Sequence, residues 1–130
     1  MHLRYTILYV DNVSETLDFY IKAFGLTEKM RHERGDYGEL ETGSTTLSFS
    51  SRKLMEQLGK SPDRPDISRP VFEIAFETEN VPLALETAIK AGATLVQKVE
   101  EMPWGQTTAY VGDPNGFLIE ICSPVRPISG

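Results

Sequence analysis

Two glutamates interrupt apolar runs. Glu73 stands in Val71-Phe72-Glu73-Ile74-Ala75-Phe76, and Glu120 in Phe117-Leu118-Ile119-Glu120-Ile121-Cys122. A carboxylate without a partner is costly to bury, so each is expected to face a wet cleft rather than a dry core. There a glutamate can move a proton as a general acid or base, or hold a cation. Glu73 and Glu120 are therefore the candidate catalytic residues. Trp104 lies between Pro103 and Gly105. Three uses stay open for it: a partly exposed hairpin aromatic, a stacking wall, or a subunit contact. Cys122, the single cysteine, reads as a small buried hydrophobe and rules out an internal disulfide. Arg31-His32-Glu33-Arg34 reads as a solvated strand face. No Ser-His-Asp triad, P-loop or Gly-rich dinucleotide motif occurs.

These residues need elements to hold them. Leu3 to Val10 is apolar and rich in β-branched and aromatic residues, so it reads as a strand. From Val13 the period changes: Leu17, Tyr20, Ile21 and Phe24 recur at helical spacing, with Asn12 or Ser14 as cap and Gly25 as the stop. Strands follow at 27–34, 37–41 and 45–51. Arg52 to Gly59 can form two turns of helix. Lys60 to Pro70 carries three prolines among polar residues and reads as a mobile linker. The order then recurs: a strand at 71–78, a helix opened by Asn80 and Pro82 and closed by Gly92, and strands at 94–100, 106–111 and 117–122. Asp113-Pro114-Asn115-Gly116 is a strong turn. The chain therefore reads as two βαβββ modules, 1–51 and 70–126, joined by 52–69 and forming one compact domain. Asn12 and Asn80 are 68 positions apart, and at that offset Val13 matches Val81, Leu17 Leu85, Lys22 Lys90 and Ala23 Ala91.

The chain has 130 residues, 40% hydrophobic and 25% charged, with a net charge of −6. A phosphate backbone wants clustered Lys and Arg, so nucleic acid is not an expected partner. No run of 18 apolar residues suggests a membrane span, and the start Met1-His2-Leu3-Arg4-Tyr5 lacks a signal-peptide pattern. A cytoplasmic location is the expectation.

Paired βαβββ modules, together with Tyr5-Thr6-Ile7-Leu8-Tyr9-Val10-Asp11-Asn12, Leu17-Asp18-Phe19-Tyr20, Phe24-Gly25-Leu26, Pro103-Trp104-Gly105 and Asp113 to Glu120, resemble the vicinal oxygen chelate superfamily. This is the fold of glyoxalase, the bleomycin-resistance proteins and the extradiol dioxygenases. The resemblance implies an α+β fold whose mixed sheet curls around a cleft with helices outside, and a homodimer. Metal-using members hold a divalent ion on four strand positions, commonly with His at the first and third and Glu at the last. Here those positions align with Tyr5, Ser48, Glu73 and Glu120, Ser48 being picked by strand alternation. Both expected imidazoles are missing, and His2 and His32 lie elsewhere. No cofactor is expected, unless a divalent metal is held through oxygen ligands at Tyr5, Glu73 and Glu120.

The cleft is expected to be lined by Tyr5, Ile7, Tyr9, Ser48, Glu73, Trp104 and Glu120. Glu73 and Glu120 would face each other across it on matching strands of the two modules. Two such carboxylates do not both ionise easily. The first reading is a binder of the bleomycin-resistance kind, holding a small organic molecule, a cationic one included, without breaking a bond. The alternative is a divalent-metal-dependent lyase, isomerase or dioxygenase of the glyoxalase type.

Overall fold

A computed structural model describes residues 1–126. It divides into two compact units, Met1–Arg64 and Pro65–Gly130. The first unit runs β1 (Tyr5–Val10), α1 (Val13–Phe24), β2 (Thr27–Arg31), β3 (Tyr37–Glu41), β4 (Thr46–Ser51) and α2 (Arg52–Gln57). Its sheet has the order β1-β4-β3-β2, with β1 parallel to β4 and the other pairs antiparallel. The second unit runs β5 (Glu73–Glu77), α3 (Val81–Lys90), β6 (Thr94–Met102), β7 (Gln106–Gly112) and β8 (Leu118–Cys122). Its sheet order is β5-β8-β7-β6, with β5 parallel to β8. The fold is thus α+β: two four-stranded mixed sheets carrying the same βαβββ order.

Alternation decides what each strand buries. In β1, Leu8 and Val10 are buried, whereas Tyr5 and Ile7 on the other face are 45% and 48% exposed. Helix α1 lays Val13, Leu17, Tyr20 and Ala23 on the buried side at helical spacing. Tyr20 packs its ring 4.9 Å from Phe49. Leu17 comes so close to Gly38 of β3 that a Cβ there would lie 2.5 Å from its Cδ1. Asn12 caps the helix by accepting from Glu15 N at 2.9 Å, and Gly25 closes it in the left-handed region at φ 69°. In the second unit Asn80 caps α3 the same way, and the core is Val81, Ala88, Ala109, Val111, Ile119 and Ile121. Asp113 Oδ1 accepts from the backbone N–H groups of Asn115, Gly116 and Phe117, each at 2.9 Å, which locks the expected turn before β8.

The stretch from Lys60 to Pro70, expected to be mobile, has no helix or strand but is tied in both units. In the first, buried Arg52 donates to Asp63 O at 2.6 Å and to Asp11 Oδ1 at 3.1 Å, and Arg64 also pairs with Asp11. The two guanidinium groups hold the Asp11 carboxyl below its usual value. In the second, Asp66 Oδ1 accepts from Ser68 N and Oγ, and Ile67 packs against Gly112. No helix among the described residues is long and apolar enough to cross a membrane.

Candidate functional site

The carboxylates meet on the second sheet, on the face opposite its apolar core. Ala75 of β5 pairs with Glu120 of β8, which pairs with Tyr110 of β7. Glu73, two residues before Ala75, is the diagonal neighbour of Glu120, within reach of a long side chain. The Glu73 carboxyl interacts with that of Glu120, and the Tyr110 hydroxyl donates to Glu120 Oε2. A carboxyl can donate to another only while it carries a proton. Accordingly Glu73 is raised above its usual value, first by burial, then by its hydrogen bond and charge contact with Glu120. The same glutamate raises the Tyr110 phenol well above 10, and burial with Glu120 nearby pushes the Cys122 thiol up to about 11. Cys122 therefore stays a neutral thiol near neutral pH.

This corrects the expected geometry. Glu73 and Glu120 do come together, but side by side on neighbouring strands of one sheet, not on matching strands of two modules. They are linked because β5 and β8 are parallel neighbours. Tyr110 is the residue that sequence reading missed. Its signal was available: in Gln106–Val111 the apolar set is Ala109 and Val111, which leaves Gln106, Thr108 and Tyr110 on the glutamates' face.

On the first sheet Tyr5, Ile7 and Tyr9 share the face turned away from the core. Ile7 pairs with Ser48, and Ser48 with Glu39. Ile7 to Ser48 in this sheet is the same step as Ala75 to Glu120 in the other, so register makes Ser48 the counterpart of Glu120. Ser48 is fully buried and its hydroxyl donates to Thr6 O at 3.4 Å. Beside it Tyr37 donates to Glu39 Oε2 at 2.7 Å. Burial raises the Tyr37 phenol first, partly offset by its hydrogen bond to Ser48. Trp104 is 54% exposed on the β6–β7 turn, and its Nε1 donates to Gln106 Oε1 at 2.8 Å. Gln106 and Tyr110 are four residues apart along β7, about 13 Å. Trp104 lies beyond that end, so it is not brought to the carboxylate pair.

The donor set does not fit the metal centre that the resemblance implies. His32 sits 3.5 Å from Asp36 on the first unit's hairpin. Among the described residues no three His, Cys, Asp or Glu side chains converge as a metal site. One Glu120 oxygen is already engaged by Tyr110. Two cavities among the described residues are not lined by a predicted site residue. One of about 360 Å³ lies by Asn80, Met102, Gln106 and Arg126, and one of about 470 Å³ by His32, Asp36, Tyr37 and Leu54.

Residues 3–126 match the family model of the glyoxalase-like domain. The chain belongs to that family, within the vicinal oxygen chelate superfamily. Among relatives of this glyoxalase-like chain, the lactoylglutathione lyase of Neisseria meningitidis is 30% identical over 130 residues, covering 92% of this chain and 88% of that protein. An uncharacterised protein of Mycobacterium tuberculosis is 28% identical, covering 94% and 74%. A glyoxalase-related enzyme from Fulvimarina pelagi superposes with a TM-score of 0.82 at 24% identity, covering 100% of this chain and 94% of the other. A glyoxalase/bleomycin resistance protein/dioxygenase family enzyme from Burkholderia phytofirmans gives 0.80 at 22%, covering 97% and 100%. At these identities the two structures speak for the fold.

Proposed function

We propose that this glyoxalase-like protein binds a small organic molecule through a cationic group at Glu73 and Glu120, and releases it unchanged. The carrying observation is the register that brings Glu73, Glu120 and Tyr110 together on an open sheet face, with Tyr110 hydrogen-bonded to Glu120. A cation there relieves the repulsion between two carboxylates. Tyr110 fixes one Glu120 oxygen, which leaves the other oxygens to the ligand. The proposal includes a homodimer acting in the cytoplasm, supported by the family resemblance and the acidic, uniformly globular composition.

A metal-dependent lyase reaction is the second reading, and the lactoylglutathione lyase relative favours it. The donor set speaks against it, because imidazole is missing from the aligned positions.

The two readings separate in one titration of the full chain, followed through the carboxyl carbons of Glu73 and Glu120 by NMR. Benzylammonium and guanidinium are the organic probes, and Zn²⁺ and Mn²⁺ the metal probes. Saturable shifts with an organic cation, lost in Glu73→Gln and Glu120→Gln, are the expected result. Stoichiometric metal binding with no organic-cation response would overturn the binder.

A further inference from the structure

The strap after α2 delivers a cation to the open face of the first sheet. Lys60 Nζ donates to the Tyr9 hydroxyl at 3.0 Å and lies 3.6 Å from Met55 Sδ. It is 5.3 Å from the Tyr9 ring centroid, so the ammonium sits at the hydroxyl rim. The placement is held from the backbone up. Lys60 N donates to Met55 O at 3.0 Å, Met55 is buried, and the chain three residues on is clamped by buried Arg52 through Asp63 O.

Two features make this contact more than a surface lysine at rest. Among the described residues Lys60 has no carboxylate partner, although the chain carries 19 acidic residues against 13 Lys and Arg. Its strap neighbour Arg64 and the clamp residue Arg52 both spend their charge on Asp11. The Tyr9 oxygen accepts from Lys60, and the phenol's own proton meets no acceptor among the described residues. An ordered ammonium and a free phenol O–H, with their heavy atoms 3.0 Å apart, form two donors on one open face. Donors in that arrangement match an oxygen of a carboxylate or phosphate, which accepts charge-assisted hydrogen bonds.

We propose that Lys60 and Tyr9 form an oxyanion subsite on the first unit, taking the carboxylate or phosphate group of a small molecule. The inference goes beyond the cation site on the second unit and uses none of its residues. Lys60 supplies the charge, Tyr9 supplies direction, and Arg52 is the positioning residue.

The test titrates the full chain with acetate and with inorganic phosphate at constant ionic strength. It follows the Lys60 side chain, the Tyr9 ring and the Met55 methyl by NMR. The expected result is a saturable shift of all three with at least one anion. Affinity should be about fivefold weaker in Lys60→Gln, and also weaker in Tyr9→Phe, which removes one oxygen and keeps the ring. Acetate alone would mark a carboxylate site, and phosphate alone a phosphate site. Lys53→Gln removes a nearby exposed cation and should leave the affinity unchanged. Linear shifts that never saturate would overturn the proposal, as would equal losses in Lys53→Gln and Lys60→Gln, which would show an adventitious ion only. Glu73→Gln leaves this titration intact, so failure here and failure of the cation site read out separately.

Discussion

Glu73 and Glu120 interact because they are one diagonal step apart on parallel neighbours, and the consequence is a pH dependence with a definite sign. The folded protein holds the Glu73 proton more tightly than the unfolded chain does, since its value is raised from 4.5. The group therefore favours the folded state fully below the unfolded value, and that contribution is lost as pH rises through the raised folded value. Urea unfolding of the native protein should show stability falling across that window. In Glu73→Gln this part of the slope should vanish, and stability at neutral pH should be equal to or above that of the native protein. A cationic ligand should bind more weakly as pH falls through the same window, because it competes with the proton. An unchanged slope in the variant would dissociate the carboxyl pair.

The turn between β6 and β7 shows how an element can depend on a single missing side chain. Gly105 has φ 87°, and a Cβ there would lie 2.2 Å from the backbone oxygen of Arg126. Arg126 N in turn donates to Gly105 O at 2.9 Å, and Ser123 N to Thr107 O at 2.9 Å. The chain after β8 thus runs back along the hairpin, and the atom in the way is backbone, which cannot swing aside. Gly105→Ala should cost about 1–3 kcal/mol, from the positive φ and the displaced segment. A denaturation midpoint would measure it, and amide exchange should rise first at Thr107 and Ser123. At α1 and α3 the matching caps predict matching costs: Asn12→Ala and Asn80→Ala should each lose about 1 kcal/mol.

At the scale of the whole molecule, the strap and the oligomer can be checked. Arg52 is buried and spans Asp11 on one side and Asp63 O on the other. Arg52→Met should cost about 1–2 kcal/mol through the unsatisfied groups it leaves. It should also make Lys60 the first site cut by trypsin, whereas the native strap resists. Early cutting of the native protein after Lys60 would return the segment to the mobile linker that its prolines suggest. Light scattering at micromolar concentration is expected to give twice the 14.6 kDa chain mass. A monomer would remove the homodimer from the proposed function.

Much of the architecture was legible from local rules. Period two in Leu3–Val10 and period 3.6 in Val13–Phe24 set which side chains each element buries, because those periods are properties of the backbone alone. Asn12, Gly25 and the Asp113 turn act within a few residues, so they too could be read from the letters. The same parity placed Tyr5, Ile7 and Tyr9 on one face of the first strand, and Glu120 opposite Ile119 and Ile121. What only tertiary structure decided is who lies beside whom. The neighbour of Glu120 depends on β5 pairing with β8 and not with another strand, and that choice joins residues 47 positions apart. Tyr110 reaches Glu120 through the β7–β8 register, Lys60 reaches Tyr9 across 51 positions, and Trp104 ends up at the far end of β7. Side-chain period is written into each segment, whereas pairing is a competition among segments that burial and register settle only once the chain has folded.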